Sequence, residues 1–182
     1  MKSVRLKILT PLIILFILSI LGYAFNTYLI SKIFEDGAVI NIAGRQRMLT
    51  QRMSKDALII KYMEEHREKG MKELKLARDL FDVSLKALIE GGETYSDLGM
   101  TKKTPPLPPA EGPAAEQLKK VKQLWEPFKD SINKIIATNG ADKEAILYII
   151  NNNNTLLAEM NKAVGLLQVE YEAKLRKINH AS

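Results

Sequence analysis

The chain has 182 residues, 46% of them apolar and 26% charged, with a formal charge of +6; this suits one domain plus a short extra element. It contains no cysteine and only two histidines, His66 and His180, which argues against a disulfide framework, thiol chemistry and a histidine-rich metal site. The basic excess is local, is not interleaved with aromatics and forms no nucleic-acid motif, so nucleic acid is not expected as a partner.

Lys2, Arg5 and Lys7 precede "ILTPLIILFILSILGYAF", eighteen uncharged residues from Ile8 to Phe25, and the uncharged run continues to Ile30. That length crosses a hydrocarbon core of roughly 30 Å. The basic flank predicts a cytoplasmic N-terminus and an exported remainder, a single-pass protein of the bacterial inner membrane with its main domain periplasmic or extracellular. A retained anchor is the preferred reading. A signal peptide cleaved after Ala24, with Gly22 and Ala24 as the small residues, is the rival and exports the same domain. Residues 1–30 are thus read as flank and transmembrane anchor, and 31–180 as the domain.

Four helices are expected in that domain. The first runs from about Tyr28 to Arg67, free of proline, with Ile33, Ile40, Ala43, Leu49, Met53, Ala57 and Ile60 at helical spacing. Gly70 marks the expected turn. The second runs from Met71 to Glu90 on a stripe of Leu74, Ala77, Phe81, Leu85 and Leu88, and Gly91 and Gly92 stop it. The proline- and glycine-rich stretch from Gly91 to Pro113 reads as a long solvent-exposed connection. The third helix runs from about Ala114 to Thr138, with Leu118, Val121, Leu124 or Trp125, Phe128, Ile132 and Ile135 inward; Pro127 is expected to kink it or to leave a local gap in its hydrogen bonding. Gly140 turns the chain and Asp142 caps a fourth helix, Lys143 to Lys177, with a seam of Ile146, Ile149 or Ile150, Leu156 or Leu157, Met160, Val164, Leu167 and Tyr171. "NNNN" at Asn151–Asn154 is a poor helix interior, and at least one of the four must approach the seam, where it can set register or be mere surface. The fold class is therefore all-α, an antiparallel up-down-up-down four-helix bundle with an N-terminal transmembrane helix. Counting directions puts the Gly92–Gly112 loop on the membrane side and the other two turns at the far end.

The stretch "INIAGRQRMLTQRMSK" sets basic and amide side chains into the first helix. Ile40, Gly44, Arg47, Gln51 and Ser54 recur at three and four and share one side, while Ile42, Leu49, Met53 and Ile60 face the core. A second, partly polar face suits a partner helix, most simply a second copy across a two-fold axis. Gly44 costs about 1 kcal/mol of helix propensity relative to alanine, and it lets a partner backbone or a small ligand come close. Two Arg47 guanidiniums meeting at an axis repel unless an anion lies between them, and their planar donor forks suit an oxyanion. The competing reading leaves Arg45, Arg47, Arg52 and Lys55 in water, with Asp56 as a partner.

The same stretch resembles the signature helix of the PilJ-type sensory domain, found at the N-terminus of type IV pilus methyl-accepting chemotaxis transducers. It is similar, over "N-x-A-G-x-x-R-M", to the periplasmic sensor domain of nitrate/nitrite sensor kinases. "LWEPFKDSI" (Leu124–Ile132) and "NNTLLAEMNKAV" (Asn153–Val164) extend the resemblance. It implies an extracytoplasmic four-helix bundle acting as a homodimer, with one anion held between the paired first helices. The matching positions are Gly44 beside the anion and Arg47 clamping it, with Asn41 and Ala43 in the flanking pattern. Arg45, Gln46 and Gln51 follow the PilJ-type version. The ligand-binding set is thus Gly44, Arg47, Asn41 and Gln51.

After Tyr171 comes "EAKLRKINHAS", with no second span, HAMP-like linker, methylation helix or kinase. A stand-alone anchored domain is favoured over a receptor fragment, and its output passes through a separate transmitter or receptor protein. Two function classes follow. One is a sensor of a small oxyanion such as nitrate or nitrite. The other is a ligand-free interaction module of a chemoreceptor or pilus system, docking through Pro105–Pro109 and Asn151–Asn154. An enzyme is not expected: no cofactor motif, nucleophile–base pair or phosphate loop occurs, and Glu64, Glu65 and His66 are adjacent residues that point apart on a helix.

Overall fold

The computed structural model describes residues 2–180, the side chains of residues 2–8, 36 and 177–180 excepted. Met1 and the side chains of the basic flank, Lys2, Arg5 and Lys7, lie outside the described residues. The elements are α1 (Lys2–Tyr62), a 3-10 turn (Glu64–His66), α2 (Arg67–Glu90), α3 (Gly112–Ala137) and α4 (Lys143–His180). The chain divides into two units, Met1–Glu35 and Asp36–Ser182.

The first unit is the N-terminal part of α1. Its large apolar side chains from Leu9 to Ile30 are exposed, apart from the half-buried Leu29. Among the described residues this is the one helix long and apolar enough to cross a membrane. Ser19 and Thr27 satisfy their hydroxyls within the helix, donating back to the carbonyls of Leu15 and Tyr23, both at 2.9 Å.

The second unit is an all-α, antiparallel four-helix bundle, and its polar ties record the directions. Arg45 meets Ser84 and Arg52 meets Glu73, so α2 runs against α1. Asp82 meets Trp125 and Arg78 meets Asn133, so α3 runs against α2. Gln117 meets Glu159, while the Ala114 amide meets Glu170, so α4 runs against α3. The inward stripes are the expected ones: Ala43, Leu49, Met53, Ala57 and Ile60 on α1, with Leu74, Ala77, Phe81, Leu85 and Leu88 on α2. Where the sequence left pairs open, Trp125, Ile149 and Leu156 are the buried members. Trp125 centres the core, 4.2 Å from Phe81 and 6.0 Å from Phe128 between ring centroids. Of the four asparagines, Asn153 is the one that reaches the seam.

Two expectations need correction. The first turn is not at Gly70. The chain turns at Met63–His66, and Gly70 lies buried inside α2, where a Cβ would stand 3.1 Å from Ile60 and 3.2 Å from Ile59. Its small size serves close approach of the end of α1 rather than a change of direction. The Gly91–Pro113 connection is not simply solvent-exposed. Gly92 pairs with Leu107 and Tyr95 with Lys103 as isolated bridges, Thr94 is buried, and Leu107 is 4% exposed in the core. The prolines flank a side chain that plugs the bundle end. Pro127 lies inside α3, which is helical on both sides of it.

At the other end, Gly140 has φ +82°, and a Cβ there would stand 2.5 Å from Ile60. Only glycine serves this turn. Asp142 caps α4 as expected, accepting the Ala145 amide at 2.9 Å.

Glu159 ties α3 to α4. Lys162, Gln117 and Lys120 hold its carboxyl down to about 2. A depressed folded value means that the contribution is present above the ordinary value near 4.5 and is lost as pH falls toward 2. The thermal midpoint of Glu159→Gln should therefore lie below wild type at pH 7 and converge on it between pH 4.5 and 2. A gap that stays constant over this range, followed by circular dichroism, would remove Glu159 from the tie.

Candidate functional site

α1 carries two useful faces because a helix turns 100° per residue. Within Asp36–Ser182, its outward row is Gly37, Asn41, Gly44, Met48, Gln51, Lys55, Leu58 and Tyr62, spaced alternately four and three. That alternation is the repeat of a helix–helix seam. All of these are exposed or half-exposed, including Met48 at 53%, Leu58 at 40% and Tyr62 at 70%. The row differs from the sequence expectation at one edge. Ser54 is buried and Ile40 half-buried; by helical rotation both lie on the same side of the row as Arg47, which meets α4 at Asn161.

Gly44 lies mid-row. A Cβ there would meet a single neighbour, the Arg47 guanidinium, at 3.6 Å. Among the described residues nothing else comes within 4 Å, so internal packing does not account for the glycine. Arg47 stands at the α4 edge of the row and folds back over Gly44. Its Nε donates to the Gly44 carbonyl at 3.5 Å, and its Nη1 donates to Asn161 Oδ1 on α4 at 3.3 Å. Arg47 forms no ion pair among the described residues, so an exposed guanidinium with open N–H groups faces outward. Gly44 and Arg47 are therefore brought together. Asn41 and Gln51 lie exposed on the same row without a bond to Arg47.

The other basic residues of the stretch divide differently. Arg52 pairs with Glu73 at 3.1 Å, and Lys55 with Asp56 at 3.3 Å; Asp56 is the partner the solvated reading named, and Glu73 is an additional one. Asp56 itself is fully buried, and burial raises its carboxyl, with Lys55 opposing. Arg45 and Gln46 turn inward. Gln46 Nε2 donates to the Phe81 carbonyl at 2.8 Å; Arg45 Nη2 donates to Ser84 Oγ, which meets Thr94 Oγ1 at 2.8 Å. Burial lowers the Arg45 pKa, with Asp97 opposing. These two residues bind α1 to α2 and to the folded connection, a role that sequence reading missed. Its signal was present: Gln46 falls on the core side, three residues before Leu49 and seven before Met53.

Elsewhere, a groove of about 250 Å³ between α2 and α3 is floored by Trp125, and the lysines and carboxylates on its rim pair with one another. Among the described residues, no group of three His, Cys, Asp or Glu side chains stands at metal-binding range.

The family model for the type IV pili methyl-accepting chemotaxis transducer N-terminal domain, PilJ, matches residues 28–147. The chain belongs to the PilJ family. The match takes in the whole outward row of α1, the Arg45–Gln46 ties and the connection they hold. PilJ is a sensory transducer domain rather than a catalytic family; it is associated with chemotaxis and pilus signalling, with partner proteins and with the membrane. No curated protein and no solved structure matches this PilJ chain.

Proposed function

We propose that this PilJ domain is an extracytoplasmic oxyanion sensor. Residues 1–30 anchor it in the bacterial inner membrane, and residues 31–180 form the sensory bundle. Two copies pair along the outward row of α1, a small oxyanion such as nitrate or nitrite lies between their Arg47 side chains, and a separate transmitter protein receives the signal. The observation that carries this reading is the state of Gly44 and Arg47. The glycine is open to the outside with no internal reason, and the guanidinium folded over it is exposed and has no carboxylate. Met48, Leu58 and Tyr62 on the row supply apolar area for a partner helix, while Asn41 and Gln51 supply amide donors.

Calorimetric titration of the full chain in detergent with nitrate, nitrite and sulfate tests it. We expect heat with nitrate or nitrite, and its loss in Arg47→Ala at unchanged helix content. Absence of binding by the native protein at millimolar anion would overturn the sensor reading. That outcome would favour the second one, a ligand-free interaction module, which the apolar side chains of the row also support.

A further inference from the structure

The bundle surrounds Arg47 asymmetrically. On the α2 side, α1 is tied by buried or half-buried bonds from Gln46 to the Phe81 carbonyl and from Arg45 to Ser84, and by the Arg52–Glu73 pair. On the α4 side, the polar contact at this level is the exposed one from Arg47 Nη1 to Asn161 Oδ1. Asn161 sits on the edge of α4 that flanks α1. Among the described residues its carboxamide oxygen accepts no other hydrogen bond, and the helix needs no asparagine there, since the residue lowers helix propensity.

We propose that Asn161 is a positioning residue of the Arg47 site, contributed by α4; this rests on the oxyanion reading above. An arginine has five N–H donors in a rigid plane. The Gly44 carbonyl takes Nε–H at 3.5 Å and Asn161 takes one of the two on Nη1 at 3.3 Å, so two long contacts orient the plane. The remaining Nη1 proton and both Nη2 protons are left for the ligand, enough for a two-pronged grip on a planar oxyanion. Holding the plane beforehand removes part of the ordering cost that binding would otherwise carry. It also makes the site span two helices: an anion that pulls on Arg47 pulls on α4 through Asn161, while α1 stays fixed to α2.

Two measurements on the full chain in detergent test this. Nitrate affinity is titrated for wild type, Asn161→Ala, Arg47→Ala and the double variant. The Arg47 side-chain 15N–1H signal, assigned by its loss in Arg47→Ala, is recorded without anion. We expect Asn161→Ala to weaken nitrate binding about 3- to 10-fold, the scale of one hydrogen bond to a charged group partly exposed to water. No further loss is expected in the Arg47→Ala background. The thermal midpoint should hardly move, and the anion-free Arg47 signal should broaden or vanish. Asn161→Asp keeps the acceptor and should restore the signal, while its charge still weakens nitrate binding. If nitrate binds and Asn161→Ala changes its affinity less than twofold, Asn161 is no part of the site, although the sensor reading stands. If wild type binds no anion, the sensor reading fails, and the Arg47 signal decides the α4 tie: its collapse in Asn161→Ala supports the tie, and an unchanged signal overturns it.

Discussion

Trp125→Ala is expected to destabilise the bundle by about 3–5 kcal/mol, the range for removing a large aromatic from a packed core. The indole is 1% exposed, its ring lies between Phe81 and Phe128, and its Nε1–H donates to Asp82 Oδ1 at 2.7 Å. Truncation leaves a void in the aromatic layer and takes a donor from Asp82, which keeps Lys129 at 3.0 Å. The packing loss should exceed the hydrogen-bond loss, because Asp82 is half exposed and water can replace the indole donor. Trp125→Phe separates the two: it keeps most of the ring volume and gives up the bond, and should cost about 1 kcal/mol. Native domains hold only some 5–15 kcal/mol in all, so the alanine variant should sit near the edge of folding. Urea unfolding followed at 222 nm in mild detergent measures both. A loss below 1.5 kcal/mol for Trp125→Ala would mean that the aromatic layer is not the centre of the core.

The helices were legible because their apolar residues return at three and four while the breakers stand between them. Leu74 to Leu88 on α2 and Ile146 to Leu167 on α4 are stripes that no other element type accommodates. Gly70 misled because a glycine after a charged run looks like a turn; the reason for it, Ile59 and Ile60 at the end of α1, is a contact made only once the chain has doubled back at Met63–His66. The Gly91–Pro113 connection misled for a similar reason. Proline-rich composition speaks for the absence of helix, not for exposure, and it is silent about a single leucine, Leu107, directed inward.

The site was partly legible. Gly44 and Arg47 three residues apart must lie on neighbouring turns, and the structure places the guanidinium over the glycine. That Arg45 and Gln46 turn inward follows from 100° per residue, but their partners, Ser84 and the Phe81 carbonyl, lie on another helix and leave no trace near the motif. Asn161 lies more than a hundred residues further on, and only the fold brings α4 beside α1. A shared face could be inferred from spacing; a shared hydrogen bond between helices could not.

Gly44→Leu should separate association from folding. Inside one chain a Cβ at this position meets, among the described residues, only the movable Arg47 guanidinium, so the bundle should fold at least as well as wild type. Replacing a helical glycine removes a propensity deficit of about 1 kcal/mol. Between two copies paired along the row, the same side chain enters a seam that is close-packed at this level, and it enters twice because the contact is symmetric. Overpacking costs about 1–3 kcal/mol per site, so the dimer should weaken by about 30-fold or more. Sedimentation of the full chain in density-matched detergent gives the association constant, and urea unfolding gives the stability. The informative result is opposite signs: a bundle as stable as before or more so, with self-association largely lost. Association unchanged in Gly44→Leu would mean that the α1 row is not where copies meet, and the open glycine would then have to be explained by a different partner laid along Met48, Leu58 and Tyr62.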